Sequence, residues 1–252
     1  MVQTNGPIYS VFINKMDDKG KPIYDSVAKN CVQETVDSLL TKTTTPDNPG
    51  MLLGKVQSGK TRTFLGVIAL AFDNGCDVAV VFTKGTNALA QQTLARLNKD
   101  FKTEIESDLI HVFDVMSLPD PLAEYELQHK LIFVCKKEDD NIRRLDNAIF
   151  HTNPDLATKR ILLIDDEADF ASIGFRRTRA EGIKINKIAS QLDALRRRLN
   201  QVDVLQVTAT PYSLYLQPDT MTIPTTQETF LPVKPAFTRL RPATRWSGLS
   251  SK

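Results

Sequence analysis

The chain has 252 residues, 41% hydrophobic and 25% charged, which suits one well-buried core or two small domains and excludes a tail or linker. Thirty-two Lys and Arg against 30 Asp and Glu leave a formal charge of +2, a balance that neither predicts nor excludes a polyanionic partner, because only the local distribution of charge matters. The three cysteines, Cys31, Cys76 and Cys135, are scattered and set mostly in apolar runs, which fits small core residues in a reducing compartment rather than disulfides or zinc.

In chain order, the opening "MVQTNGPIYS" lacks a basic start followed by an apolar stretch, and no window reaches the roughly 18 apolar residues of a membrane span. The expectation is a cytoplasmic protein with no membrane partner. Residues 1–45 read as an N-terminal extension, with a polar, weakly ordered start, a helix over 26–40 and the threonine-rich breaker "TKTTTPDNPG". Short apolar runs then recur at 51–53, 77–83, 109–115, 130–135, 160–166 and 202–210. Most are continuous rather than alternating, as in strands covered on both faces. Helical patterns lie between them at 61–72, 87–101, 139–150 and 186–199. This alternation predicts an α/β domain over 46–215, a mostly parallel, doubly wound sheet with helices on both faces and a binding site beyond the C-terminal strand ends. Residues 216–252, rich in Pro and Thr and without period, read as a linker.

"GKVQSGKT", residues 54–61, satisfies G-x-x-x-x-G-K-[ST], with an apolar run before it and a helical pattern after it. Gly54 and Gly59 let the backbone turn so that successive N–H groups, together with the positive end of the following helix, face phosphate oxygens. Lys60 is then placed to reach the β- and γ-phosphates of ATP, and the Thr61 hydroxyl to ligate Mg²⁺. Gln57, Ser58 and Arg62 complete the residues expected at the nucleotide. A glycine-containing turn that happens to precede a lysine is the alternative.

The second motif, "ILLIDDEADFAS", ends a buried strand with Asp165, Asp166, Glu167 and Asp169. Carboxylates this close repel one another unless a cation or water sits among them. The expected division is Asp166 for the magnesium ion and Glu167 for polarising the attacking water, against a solvated acidic loop as the alternative. With Lys60, these two are the expected catalytic residues. A third motif, "VTATPYS", begins at the tip of the last apolar run and separates a motor ATPase from a small-molecule kinase.

In that order, "GKVQSGKT", "DDEAD" and "TATP" resemble motifs I, II and III of superfamily-two helicases and translocases. More narrowly, "VQSGKT", "VFTKGTNALAQQT", "LIFVCKKEDDNIRRL", "IDDEADFAS" and "VTATPYS" look like segments of the Z-one domain ATPases of bacterial restriction and phage-defence clusters. The resemblance covers roughly residues 30–215. It implies a RecA-like P-loop domain that hydrolyses ATP and couples it to nucleic acid, DNA favoured over RNA. Thr208 and Thr210 then link the magnesium site to a second domain and to nucleic acid, and small polar residues at a strand tip can hydrogen-bond neighbouring loops in that way. Thr83, Lys84 and Gln91 are implied to lie toward a nucleic-acid backbone, Gln91 equally being a surface position, and Gln33 to touch adenine. Lys136 and Lys137 could contact phosphates or form a solvated pair, and Arg176, Arg177, Arg179 and Arg196 to Arg198 could extend a nucleic-acid track or form a solvated face. The histidines, His111, His129 and His151, show no metal-ligand spacing.

The same resemblance implies a second RecA-like domain, or a partner subunit, that supplies arginines to the γ-phosphate. About 40 residues after Pro211 cannot build such a domain, so a fragment or truncated product with slow turnover is expected, an arginine finger being worth about 10³–10⁵ in rate. The rival readings are an ATP-binding switch or recruitment module without motor activity, and a small-molecule phosphotransferase.

Overall fold

The computed structural model describes residues 2–42, 44, 49–53, 60–84, 86–166, 175–178, 182–185 and 187–208. Helices α1 (Pro7–Ile13) and α2 (Ser26–Thr41) precede strand β1 (Gly50–Leu53) and helix α3 (Lys60–Asp73). Then come β2 (Val78–Thr83), α4 (Asn87–Asp100), α5 (Lys102–Glu106), β3 (Ile110–Asp114), β4 (Lys130–Lys136), α6 (Asp139–Asn147) and β5 (Arg160–Asp166). A short antiparallel ribbon, β6 (Phe175–Thr178) and β7 (Gly182–Ile185), leads to α7 (Lys187–Arg198) and β8 (Gln201–Thr208). The six long-sheet strands are all parallel, in the order β1-β8-β5-β2-β4-β3. All six apolar runs therefore become strands of one sheet. The ribbon and α1 lie outside the expected alternation.

Two cores cover the sheet, because alternate strand residues face opposite sides. Ala79, Val81, Leu162, Ile164, Leu205 and Val207 face α1 to α4, while Val78, Val80, Phe82, Ile161, Leu163 and Val204 face α6 and α7. Helix α3 is buried continuously from Phe64 to Phe72, the signature of a helix apolar all round, here enclosed between the sheet and α1 and α2. Gly66 permits that enclosure: a Cβ there would come within 2.8 Å of Val32 on α2.

Helix α1 is invisible as a periodic pattern because its seven residues make fewer than two full turns. Its N-terminus is held from outside. The Asp73 carboxylate, at the end of α3, accepts the backbone N–H of Tyr9 at 2.7 Å and of Ile8 at 3.3 Å. Replacing Asp73 with alanine should cost about 1 kcal/mol by loss of this cap, seen as a lower urea midpoint at unchanged m-value.

Candidate nucleotide site

Strands β1, β8 and β5 lie side by side, with their last described residues within one step of the same level. Leu53, the residue before Gly54, is paired with Thr208, and Val207 one step below is paired with both Leu52 and Asp166. With parallel strands about 4.8 Å apart, the phosphate-loop strand and the Asp166 strand are separated by roughly 10 Å across β8. Leu53, Thr208 and Asp166 thus lie near one another at the C-terminal edge of the sheet, the edge where α/β sheets bind ligands, and Lys60 and Thr61 begin α3. Both side chains are partly exposed, and Arg62 is exposed. The Tyr24 hydroxyl donates to the Arg62 carbonyl at 2.7 Å, tying the first turn of α3 to the segment before α2. Burial raises the Tyr24 pKa well above its ordinary value, so the phenol keeps this proton.

Adjacent carboxylates on β5 go to opposite sides of the sheet. Asp166 follows Leu162 and Ile164 and is paired with Val207, all on the α3 side. Asp165 follows Ile161 and Leu163 to the side of α6 and α7, where it is fully buried. There it meets Lys137 Nζ at 2.5 Å and Arg196 Nη2 at 3.2 Å. Two cations thus already balance Asp165, so the carboxylate cluster expected from "DDEAD" is divided: Asp165 belongs to the core on the α6 and α7 side, and Asp166 lies on the α3 side. Lys137 also donates to the Asp166 carbonyl at 2.7 Å, which holds the strand tip in place.

These contacts correct two readings of the sequence. Lys136 and Lys137 are no solvated pair: both are buried, and Lys136 is held by Asn87 Oδ1 at 2.5 Å and Glu138 at 2.9 Å. The run Arg196 to Arg198 is no uniform solvated face either. Arg196 points inward to Asp165, while Arg198 binds Asp146 at 2.5 Å and stacks 3.9 Å over Phe150. A run read only as charge cannot reveal a buried partner 31 positions away; the strand parity of Asp165, set against that of Asp166, signals only that the two carboxylates go to opposite sides of the sheet.

The remaining expected positions fall as follows. Thr208 is fully buried at its strand end, and Thr83 is buried on the α3 and α4 side. Lys84 is partly buried. Gln91 donates to Asp114 at 2.9 Å. Gln33 lies on α2 beside Tyr9 of α1. Gly54, Gln57, Ser58, Gly59, Glu167, Asp169 and Thr210 lie outside the described residues, as do the side chains of Arg176 and Arg177, and Arg179.

The donor set suits magnesium. Thr61 offers a hydroxyl at the start of α3, and Asp166 a carboxylate on the α3 side of β5, oxygen ligands of the kind this hard ion takes alongside phosphates and water. The thiols take no part. Burial pushes Cys76 up to about 12 and raises Cys135 further, and Cys31 is raised less. A thiol reagent at neutral pH should therefore label Cys31 first, and Cys76 and Cys135 only on unfolding, read by mass spectrometry of peptides.

No family model matches the chain, and no curated protein matches it. Among solved structures it is similar to the DUF1998 helicase MrfA bound to DNA, at 14% identity and a TM-score of 0.53, over 83% of this chain and 27% of that one. The same helicase bound to DNA and AMPPNP matches over the same shares at 14% identity and a TM-score of 0.50. A nuclease-deletion mutant of the Type ISP restriction-modification enzyme LlaGI, in complex with a DNA substrate mimic, is similar at 15% identity over 74% of this chain and 17% of that one, at a TM-score of 0.49. The chain thus spans about a quarter or less of these proteins. The likeness shows the fold, an α/β RecA-like domain with a six-stranded all-parallel sheet. No helix among the described residues is long and apolar enough to cross a membrane.

Proposed function

We propose that this chain is the ATP-binding and hydrolysing N-terminal half of a nucleic-acid helicase or translocase, one serving restriction or anti-phage defence. The observation that carries the reading is the adjacency of three parallel strands, with Leu53 paired with Thr208 and Asp166 paired with Val207, at the C-terminal edge of the sheet. The solved MrfA structures, which hold DNA and in one case AMPPNP, support it by fold.

In this reading residues 54–59 wrap the phosphates, Lys60 neutralises the β- and γ-oxygens, and Thr61 and Asp166 hold magnesium, which supplies charge neutralisation on the phosphates. Glu167 orients and polarises the attacking water. Thr208 and Thr210 relay the state of the site to nucleic acid and to a second RecA-like domain, and arginines from that domain or from a partner subunit complete the cleft. Lys137 and Arg196 act behind the site: by holding Asp165 they fix the end of the strand that carries Asp166. The narrower kinship with the Z-one ATPases rests on the sequence segments.

The test is ATP binding and steady-state hydrolysis by the chain, with single- and double-stranded DNA and RNA, beside Glu167→Gln. ATP binding with turnover or nucleotide affinity that responds to one polymer is expected. Absence of ATP binding contradicts the proposal, and ATP binding indifferent to every polymer replaces it with the switch-module reading.

A further inference from the structure

At the opposite end of the sheet from the nucleotide crevice, the fold brings together three residues whose sequence spacing gives no sign of it. Asp108 sits in the turn after α5, His111 is the second residue of β3, and His129 immediately precedes β4. The parallel pairing of Ile110 with Lys130 and of His111 with Leu131 places both imidazoles at the same strand ends. Their ligand atoms and a carboxylate oxygen of Asp108 all lie within 4.8 Å of one another.

Each member is oriented as a ligand needs to be. His129 Nδ1 lies 2.8 Å from the Tyr125 carbonyl; a carbonyl can only accept, so Nδ1 carries the proton and Nε2 presents its lone pair, 3.9 Å from Asp108 Oδ2. His111 Nε2 is shut off from solvent and makes no hydrogen bond, although Asp108 Oδ1 is 3.2 Å away. Such an enclosed, unsatisfied nitrogen is costly without a partner. Asp108 adopts φ 58°, a left-handed conformation in which aspartate is enriched, and this turns its carboxylate back toward the histidines. The imidazoles meet edgewise, with centroids 5.1 Å apart.

We propose that Asp108, His111 and His129 form a zinc site, with water in the fourth position. Two imidazole nitrogens and one carboxylate oxygen match three-ligand zinc chemistry, where bonds of about 2.0–2.1 Å put tetrahedral ligands roughly 3.4 Å apart. Asp108 Oδ1 lies 3.2 Å from His111 Nε2 and its Oδ2 lies 3.9 Å from His129 Nε2, and one ligand atom from each residue falls within 4.8 Å of the others, so closure onto a single carboxylate oxygen needs a turn of the Asp108 carboxylate and a modest approach of the imidazoles. Side-chain exposures of 21%, 23% and 46% leave one side open for the water. Magnesium, which prefers an octahedral oxygen shell, does not fit. The bound ion pins the edge strand β3 to the start of β4 and to the α5 turn, away from the crevice. It is thus a clip on the sheet edge, independent of the nucleotide.

The test is zinc titration of the tag-free chain against a chromophoric chelator, with Co²⁺ as a spectroscopic substitute, in the parent and in His111→Gln and His129→Gln. One zinc per chain, a raised thermal midpoint with Zn²⁺ but not with Mg²⁺, a tetrahedral-intensity Co²⁺ spectrum, and an affinity loss of about tenfold or more in each variant are expected. No binding by the parent, or binding that both substitutions leave unchanged, overturns the proposal. The parent's Co²⁺ spectrum decides the geometry even if a variant folds poorly, since an octahedral, weakly absorbing complex also overturns it.

Discussion

Replacing Asp165 with alanine should lower stability by about 3–5 kcal/mol, the cost of breaking a buried ion pair and leaving its partners uncompensated. Asp165 and Lys137 side chains are fully enclosed and that of Arg196 is 5% exposed, so both cations would lose their buried counter-charge, Arg196 keeping Asp193 and Lys137 the Asp166 carbonyl. Against a typical total of about 5–15 kcal/mol, such a loss takes a large part of the margin. The measurement is urea unfolding followed by circular dichroism. Replacing Asp165, Lys137 and Arg196 together with leucine, methionine and methionine should recover much of the loss, because an apolar trio of similar volume removes the stranded charge. An Asp165→Ala midpoint close to that of the parent would contradict the assignment of this carboxylate to the core.

The second large effect concerns nucleotide. Lys60→Ala should weaken ATP binding by about ten- to hundredfold, the worth of a charge-assisted hydrogen bond of roughly 1.5–3 kcal/mol. Glu167→Gln should bind ATP as tightly as the parent or more tightly and abolish turnover, because a residue acting only on the attacking water contributes in the transition state and not in the ground state. Fluorescent-nucleotide titration of both variants separates the roles. If both bind like the parent, the phosphate site lies elsewhere. Lys60 stands at the first position of a 14-residue helix whose interior is wholly apolar, so its substitution should leave the fold intact.

Much of the fold was legible because the pattern is strong where it matters. Continuous runs such as 78–83 and 130–136 have few alternatives to buried parallel strands, and helix α3 announces itself by nine consecutive buried residues from Phe64 to Phe72. Helix α1 was not legible, because what fixes it is a cap lent by Asp73 from 64 positions away, a contact with no local trace. In the candidate site, the apolar runs next to the three motifs were legible as strands, and strand parity could have divided Asp165 from Asp166. The partners of Asp165 could not be read, since Lys137 and Arg196 arrive from two other elements. The Asp108, His111 and His129 cluster stayed hidden for the same reason: parallel pairing of β3 with β4, not spacing along the chain, brings it together.

The central claim is that two neighbouring carboxylates have separate duties, Asp166 in the crevice and Asp165 in the core. Its most direct test is ATP affinity with and without Mg²⁺, measured together with the thermal midpoint, for Asp166→Asn and Asp165→Asn at a temperature where both are folded. The account predicts that Asp166→Asn loses the magnesium-dependent part of ATP affinity, about tenfold or more, at a nearly unchanged midpoint, while Asp165→Asn keeps that dependence and melts several degrees lower. The reverse pattern, with magnesium dependence lost in Asp165→Asn and retained in Asp166→Asn, would contradict it.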